Sequence, residues 1–350
     1  MNRKHGMKNL SIFTGLLAGL LFGIATPFSK LLLVGLNSFQ LAGLLYIGAG
    51  MAMIPSVIKN RDQIKILFEP KNNKRTLGIV FFGGFLGPLF LMLGLSAAKA
   101  SSVSIWLNME LVATAILGVL LFKDTLDRKT WIAVILTILA GVITTFGEGV
   151  SSFTPALLIT AACFCWGADN HLTALTDGAS PQVVTFIKGF VAGPVNFLIG
   201  CMISDQSFLG GGIVIALIVG AFSYGLSIVL YVTSAQNLGA TRSQILFSTA
   251  PLWGVILSYV FIHEPFQWVH LISIVLLSIA VVFTSVLTHR HLHFHYSIEH
   301  IHYHKHTDGH HNHEHDGISK DTWHSHSHKH ESMTHDHPHY PDLHHRHKHN

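Results

Sequence analysis

Residues 100–126 read ASSVSIWLNMELVATAILGVLLFKDTL, an apolar run of helix length with one acid, Glu110, near its middle and a second, Asp124, near its end. Residues 240–266 read ATRSQILFSTAPLWGVILSYVFIHEPF and repeat the same polarity pattern 140 positions later. At that offset Asp124 corresponds to Glu264, and the correspondence continues without a gap into the next apolar run. A long internal repeat determines the architecture of a whole chain. We therefore expect two halves of the same design.

The composition is that of a membrane protein. Only 11% of the 350 residues are charged, and apolar runs of about twenty residues, long enough to cross a bilayer as helices, recur along the chain. The sequence predicts an all-α integral membrane protein with ten transmembrane helices, arranged as two inverted five-helix repeats. The predicted spans are residues 10–33, 39–58, 77–96, 101–122, 130–147, 154–174, 182–203, 211–233, 241–262 and 268–288.

Lysine and arginine side chains indicate the orientation, because loops rich in them stay in the cytoplasm. With the N-terminus inside, almost all loop lysines and arginines fall on one side, so both termini are predicted to be cytoplasmic in a multi-pass protein of the cell membrane. Five spans per half is an odd number, so the halves must have opposite orientations. The loop with Asp124 is then cytoplasmic, and the loop with Glu264, which has no lysine or arginine, is external. Inverted repeats of this kind are typical of secondary transporters.

The chain divides into four segments. These are a cytoplasmic N-terminus (1–9), a first five-helix repeat (10–147), a second five-helix repeat (148–288) and a histidine-rich cytoplasmic tail (289–350). The tail holds all of the 27 histidines except His5, His171, His263 and His270. Such a low-complexity tract cannot bury a core, so it is predicted to be disordered.

Dense imidazole favours binding of a transition metal such as Zn, Ni, Co or Cu to the tail. The alternative is a solubilising or pH-responsive tail, since histidine gains charge as the pH falls toward about 6. The candidate metal ligands are His291, His293, His295, His302, His304, His306, His311, His313, His315, His324, His326, His328 and His330.

The membrane part, residues 10–288, resembles the EamA-type members of the drug/metabolite transporter superfamily. The resemblance rests on the inverted duplication, the A-[ST]-x-x-x-[IL] pattern that begins at Ala100 and again at Ala240, Pro251 in the ninth span, and the Trp166–Gly167 pair. It implies a secondary transporter, often an exporter, of amino acids, nucleobases, sugars, drugs or other metabolites. It also implies a central cavity lined by the first, third and fourth helices of each half.

Three positions depart from the family pattern. The family usually has a proline in both the fourth and the ninth helix, but the position that matches Pro251 is Leu111, preceded by Glu110. Phe22 stands where a tryptophan is common, and Tyr46 lies where a basic residue is frequent. We expect chemistry specific to this chain at the asymmetry between Glu110 and Pro251.

Glu110 is the strongest candidate for a functional residue. It lies about ten residues into its span, or roughly 15 Å deep. A lone carboxylate at that depth costs several kcal/mol unless it is paired, solvated or protonated, and intramembrane acids are functional by default. Glu110 is therefore predicted to couple proton movement or to bind a cation. The alternative is an internal hydrogen bond or salt bridge that holds helices together.

Other polar residues inside the spans leave more than one interpretation open. Lys188 either reaches the membrane interface or pairs with Glu110 or Asp169. Asp169 and His171 suit a divalent metal, but their i, i+2 spacing separates them on a helix, so interfacial polar residues are the preferred interpretation. The candidate residues of the substrate cavity are Glu110, Asn108, Trp106, Asp169, His171, Lys188, Trp166 and Gln244.

The charged residues near the span ends are predicted to have structural roles. Asp124 and Glu264 are expected to cap the helix that follows each of them. Lys30 is interpreted as a residue that reaches the interface, and His263 and His270 as outer-edge residues without a special partner.

These observations favour a secondary transporter, with export as the favoured direction, that moves a small metabolite by alternating access and carries a metal-binding tail. Two alternatives remain, a divalent transition-metal (Ni, Co or Zn) efflux or homeostasis protein and a non-transporting membrane metal buffer or sensor. An enzyme is not expected, because the sequence has no nucleophile–base pair, HExxH motif or phosphate-binding glycine loop. No cofactor is required, although a transition metal is expected on the tail. The expected partners are the lipid bilayer, a small solute and divalent metal ions but not nucleic acid, and a homodimer is left open.

Overall fold

The computed structural model describes residues 2–122, 126, 128–176, 179–204, 210–238, 246–285, 292–295, 298–304, 324–330 and 333–336. In these ranges eight helical stretches are long and apolar enough to cross a membrane, and they coincide with the first eight predicted spans. The predicted ninth and tenth spans contain shorter apolar helices, Ala250–Phe261 and Trp268–Phe283. The structure therefore confirms a multi-helix membrane protein with eight helices of spanning length among the described residues.

Several of the long stretches are composed of more than one helical segment. The first half contains α1 (Asn2–Leu32), α2 (Ser38–Lys59), α3 (Asp62–Leu67), α4 (Asn73–Gly78), the π-helix π1 (Ile79–Leu86), α5 (Gly87–Ser96), α6 (Ala100–Trp106), α7 (Met109–Phe122) and α8 (Arg128–Glu148). After a 3₁₀ turn (Val150–Ser152), the second half contains α9 (Phe153–Ala174), α10 (Pro181–Ile203), α11 (Gly210–Val219), the π-helix π2 (Gly220–Leu226), α12 (Ser227–Leu238), α13 (Ala250–Phe261) and α14 (Trp268–Ser285).

Apolar side chains cover the outside of the bundle. Leu120, Leu157 and Met202 expose 71%, 69% and 87% of their surface, which is unusual for large apolar residues in a soluble protein. The interior is also apolar, with Leu41, Leu45, Met92 and Ile159 among its fully buried side chains. A bundle that is apolar both inside and outside fits a bilayer as its solvent.

The first helix of each half packs against helices of the other half. Helix α1, the first span of the first half, contacts π2, α12 and α13 of the second half. In the same way α9, the first span of the second half, contacts π1, α5 and α7 of the first half. The corresponding helices α2 and α10 pack against each other, and so do α8 and α14. Each half therefore buries its helices mainly against the other half.

Glycines allow α2 to approach its neighbours closely. A Cβ atom placed on Gly48 would lie 2.2 Å from the carbonyl oxygen of Leu217, and one on Gly220 would lie 2.1 Å from that of Leu45. Between α2 and α10, a Cβ on Gly43 would lie 2.5 Å from the backbone nitrogen of Phe197. Small residues permit such backbone contact between membrane helices, where dispersion forces and not water drive association.

The third and eighth spans each contain a π-helical segment at matching positions, π1 and π2. A π segment breaks the usual helical ladder and changes the partners of its carbonyl groups. In π1 the carbonyl oxygen of Gly83 accepts hydrogen bonds from the Tyr46 hydroxyl (2.7 Å) and the Trp166 indole nitrogen (3.3 Å). Asn196 donates to the carbonyl of Phe85 at 3.2 Å. Side chains from α2, α9 and α10 therefore bond carbonyl groups of π1.

The described parts of the tail form four short strands that were not predicted. Strands β1 (Leu292–His295) and β4 (Met333–Asp336) pair antiparallel, as do β2 (Ile298–His304) and β3 (His324–His330). The sequence of these segments alternates histidine with other residue types, and a period of two suits strands. These four segments are therefore strands, although the tail was predicted to be disordered. Five of the candidate ligands lie outside the described residues: His291, His306, His311, His313 and His315.

A glycine substitution tests the α2 packing. Changing Gly48→Ala places a methyl group against the Leu217 carbonyl, and overpacking of this kind costs about 1–3 kcal/mol. We expect the melting temperature of the purified protein in detergent to fall by several degrees.

The matched control is Gly211→Ala, because a Cβ at Gly211 has no atom within 4 Å. Alanine is also the better helix former, so this variant is expected to be at least as stable as the unmodified protein. Equal melting temperatures for the two variants would contradict the close approach of α2.

Candidate functional site

A cavity of about 360 Å³ lies between the two halves. The fourth and ninth spans contribute most of its lining, and the first, fifth, sixth and tenth contribute the rest. Its polar lining consists of Asn108, Glu110, Thr114, Thr137, Asn170 and Ser248, and its apolar lining of Phe22, Leu107, Leu111, Phe247, Ala250, Pro251, Leu277, Ala280 and Val281. Glu110 and Pro251, the residues that mark the asymmetry between the repeats, thus line the same cavity.

Both long spans that line the cavity are interrupted at equivalent positions. In the fourth span a turn at Leu107 and Asn108 separates α6 from α7, and Asn108 donates to the carbonyl oxygen of Ile105 at 3.1 Å. In the ninth span a turn at Ser248 and Thr249 precedes α13. The repeats therefore share a broken helix, although only one of them has the proline.

The two helices that restart after these turns begin with different residues. Pro251 lies in the first turn of α13, where its missing N–H group costs no helical hydrogen bond. Glu110 lies in the first turn of α7, where a negative charge is stabilised by the positive end of the helix dipole. The local backbone accommodates either residue, but only one of the two brings a carboxylate into the cavity.

The Glu110 carboxylate makes one side-chain hydrogen bond, from the Asn170 amide nitrogen to Oε1 at 2.9 Å. Within the described ranges, no lysine, arginine or histidine forms an ion pair with it. This bond to Asn170 is the kind of internal hydrogen bond that the sequence predicts as the structural alternative for Glu110. It uses only Oε1, so Oε2 can still bind a ligand.

Lys188 pairs with Asp169 and not with Glu110. Its Nζ lies 2.7 Å from Asp169 Oδ2, and their side chains are only 13% and 6% exposed. Asp169 also accepts a hydrogen bond from Thr173. Asp169 is therefore a buried ion-pair partner and not an interfacial residue, which corrects the preferred interpretation. Of the two alternatives for Lys188, the structure shows pairing with Asp169 and not extension to the membrane interface.

His171 and Asp169 have separate partners. The ring Nε2 of His171 lies 2.9 Å from the carbonyl oxygen of Thr114 on α7. A search of the described residues finds no group of three or more His, Cys, Asp or Glu side chains that could hold a metal ion. The membrane part described here therefore gives no support to a metal shared by Asp169 and His171.

The two candidate tryptophans lie beside the cavity and not on its surface. Trp106 is 1% exposed and donates to the carbonyl of Gly141, and Trp166 is 7% exposed and donates to that of Gly83. The third and eighth spans do not line this cavity either, because their π segments pack against neighbouring helices. The fifth and tenth spans take their place, with Thr137 among the lining residues. Gln244 lies outside the described residues.

Glu264 caps a helix of the other half. Its carboxylate accepts hydrogen bonds from the backbone nitrogens of Ala100 (2.7 Å) and Ser101 (3.0 Å) and from the Ser101 hydroxyl (2.5 Å). A capping role was predicted, but for the helix that follows Glu264. The actual partner is α6, whose own N-cap residue, Lys99, makes no capping bond. Asp124, the counterpart of Glu264, lies outside the described residues.

A buried histidine links the fourth, fifth, ninth and tenth spans at the same end. His270 is fully buried, and its Nε2 lies 3.1 Å from Glu148 and 3.2 Å from the Ser102 hydroxyl, while its Nδ1 lies 2.7 Å from the Tyr259 hydroxyl. Lys99 completes the cluster with an ion pair to Glu148 at 3.3 Å. The prediction that His270 has no special partner is wrong. Its partners Ser102 and Glu148 are more than 120 positions away in the sequence, so the residues around His270 give no sign of these contacts.

This His270 cluster is not a serine–histidine–acid triad. In a triad the serine and the acid contact different ring nitrogens, whereas Ser102 and Glu148 both contact Nε2. The cluster instead joins the ends of α6, α8, α13 and α14.

The end that holds Glu264 is closed toward the cavity. A surface pocket of about 370 Å³ there is lined by Lys30, Lys99, Glu148 and Glu264, among others. Lys30 extends to this surface pocket, where its Nζ donates to the carbonyl oxygens of Leu95 and Ser96 at the end of α5 (2.8 and 3.1 Å). Between this pocket and Glu110 lies α6, all of whose residues are buried.

A multi-helix membrane bundle with a carboxylate in a cavity between two sets of broken helices is typical of membrane transporters. Residues 9–146 and 153–286 each match the EamA-like transporter family, and the chain belongs to this family. It is 26% identical over 278 residues to an uncharacterized transporter of Methanothermobacter thermautotrophicus, an alignment that covers 74% of this chain and 80% of the relative. A protein of known crystal structure has the same fold, with a TM-score of 0.57 at 14% identity over 79% of this chain and 96% of its own.

Removal of the Glu264 cap on α6 should destabilise the protein. Glu264→Ala leaves two backbone N–H groups of α6 without their acceptor, and we expect a loss of about 2 kcal/mol in the free energy of unfolding. Glu264→Gln keeps one acceptor oxygen and should lose less. The measurement is denaturant unfolding in detergent, with Glu69→Ala, at the surface, as the control. Equal stability of Glu264→Ala and Glu69→Ala would show that the cap contributes nothing.

A double-mutant cycle tests the buried Lys188–Asp169 pair. Asp169→Asn leaves Lys188 buried without its counter-charge, and breaking such a pair costs about 3–5 kcal/mol. The double variant Asp169→Asn/Lys188→Met removes both charges and should recover much of that loss. Additive losses in thermal unfolding would mean that the two side chains do not interact.

Proposed function

We propose that this protein is a secondary transporter that moves a small solute through the Glu110 cavity by alternating access of two inverted five-helix halves. The observation that carries the proposal is the position of Glu110, at a break in a membrane helix, in a cavity lined by both halves, opposite Pro251. Broken helices that meet at the interface of inverted repeats are the usual construction of secondary transport sites.

Several observations support the inverted arrangement. The family matches the chain twice, once in each half. The contacts of α1 with the second half reproduce those of α9 with the first, and the π segments fall at matching positions. With the orientation that the loop charges predict, the Glu264 end is external and both termini are cytoplasmic. In that orientation α6 would separate the cavity from the external face. Export is the proposed direction because transporters of this family are often exporters.

Glu110 is proposed to be the residue through which solute binding and coupling act. In Glu110→Gln the side chain keeps its size but loses its charge, so we expect transport by the purified protein in liposomes to fall at least tenfold. Melting temperature and yield should stay close to those of the unmodified protein. The matched control is Glu69→Gln, the same change at the surface and away from the cavity. Undiminished transport by Glu110→Gln would remove the residue from the mechanism.

The histidine-rich tail is proposed to bind a transition metal in the cytoplasm. The density of histidine from residue 289 onward is the supporting observation, since neutral imidazole is a ligand for Zn, Ni, Co and Cu. The same observation favours a second candidate function, efflux of a divalent metal that the tail collects. The third candidate function is a membrane metal buffer or sensor, in which metal binding by the tail would be the whole function and no solute would be transported.

Deletion of residues 289–350 separates these functions. For a metabolite transporter we expect transport in liposomes to persist and only metal binding to be lost. For a metal exporter the deletion should raise cell-associated Ni, Co, Zn or Cu, and Glu110→Gln should do the same. A buffer would lose its metal phenotype on deletion but keep it in Glu110→Gln. Unchanged metal content in every variant would remove metal from the function.

A further inference from the structure

The Glu110 carboxyl group has no basic partner among the described side chains. Lys188, the basic residue of the neighbouring α10, is held by Asp169 at 2.7 Å, so it does not neutralise Glu110. Asn170 donates one uncharged hydrogen bond, to a single carboxylate oxygen. A carboxylate in a membrane interior is stable only if a further partner or a proton compensates its charge.

The amide groups beside Glu110 are oriented as acceptors. Asn170 uses its side-chain nitrogen to bond Glu110, and Asn108 uses its own to bond the carbonyl of Ile105. Both asparagines line the cavity, and each has an Oδ1 oxygen that can still accept a hydrogen bond. Together with the carboxylate, these oxygens suit a ligand that donates hydrogen bonds and carries positive charge.

Aromatic rings form one wall of the same cavity. Phe22 and Phe247 both line it, with ring centroids 5.3 Å apart and an angle of 46° between the rings. Tyr231 packs against Phe247 at 5.1 Å and Tyr224 against Phe22 at 5.7 Å, which fixes both phenyl rings. Ring faces attract organic cations within about 6 Å and also accept apolar groups.

The volume and the remaining lining limit the ligand. About 360 Å³ corresponds to on the order of ten water molecules at about 30 Å³ each, so it fits a solute of roughly that many non-hydrogen atoms. Among the described lining residues there is neither an imidazole nor a thiol, the ligands that Zn, Ni and Cu prefer. The apolar side chains of Leu111 and Leu277 suit an organic solute better than a hydrated ion.

We infer that the Glu110 cavity selects small organic cations, amines with an aromatic or aliphatic body. The ammonium group contacts Glu110 and the amide oxygens of Asn108 and Asn170, and the body lies against Phe22 and Phe247. As the substrate class of the proposed transporter this rests on the proposed function, but binding itself is measured without transport.

The test compares three probes of nearly equal size that differ in charge, 2-phenylethylammonium, 2-phenylethanol and 3-phenylpropionate. Binding to the purified full-length protein in detergent is measured by isothermal titration calorimetry. We expect the ammonium to bind at least tenfold more tightly than the alcohol, and the carboxylate to bind most weakly. Glu110→Gln should abolish the preference for the ammonium, and Glu69→Gln should retain it.

Equal or tighter binding of the alcohol or the carboxylate would overturn the inference, as would an ammonium preference that survives Glu110→Gln. Phe247→Leu gives a second readout, because it removes the aromatic face and keeps an apolar side chain. It should weaken the ammonium more than the alcohol, and an equal effect on both would count against cation recognition by the rings.

The liposome assay separates failure of this inference from failure of the proposed function. If a solute other than an amine is transported and 2-phenylethylammonium does not bind, only the inference fails. If the amine binds in a Glu110-dependent way and no solute crosses the membrane, the binding site stands and transport fails.

Discussion

A backbone polar group in the hydrocarbon of a membrane has no water to bond, so every interruption of a spanning helix must be satisfied by the protein itself. This constraint underlies the distinctive contacts of the bundle. Glu264 supplies acceptors for the first N–H groups of α6, Lys30 supplies a donor for the last carbonyl groups of α5, and Tyr46 and Trp166 bond the Gly83 carbonyl in π1. Several charged and polar side chains are thus bonded to backbone groups and are not available to a solute.

Glu110 differs from these residues because its carboxylate is not used by the backbone. The helix break in front of it is formed again in the second half, where Pro251 stands at the start of α13. Since a proline suffices for the break, the acid is not required to make it. The two halves therefore share the broken helix but differ in chemistry beside the break, where Glu110–Leu111 in the first half correspond to Ala250–Pro251 in the second. Asp169 and Lys188 pair with each other, so Glu110 is the acid of the described cavity lining that lacks a basic partner.

The sequence predicted the helices well and their partners poorly. Apolar run length marks a span from its own residues, so the first eight predicted spans agree with the structure. Glu110 lines a cavity, and its role there stays a prediction. Contacts between the halves are different in kind. The Glu264 cap on α6 and the His270–Glu148 contact join residues that are 164 and 122 positions apart. A hydrophobic pattern within one span cannot predict contacts between residues so distant in the sequence. Trp106 and Trp166, which are predicted to line the cavity, are buried beside it, because aromatic side chains pack equally well in a helical core. The π segments were not predicted, since glycine-rich sequence fits close packing as well as a changed helical ladder.

The cap on α6 also has a consequence for biosynthesis. Ala100 emerges from the ribosome 164 residues before the acid that completes its helix. At about 5–20 residues per second, the N-terminus of α6 waits on the order of ten to thirty seconds for Glu264. During that interval the first half has entered the bilayer with exposed amide groups, and it needs water, lipid headgroups or an insertion factor to cover them. The N-terminus of α6 therefore acquires its final hydrogen bonds only after the second repeat has been synthesised.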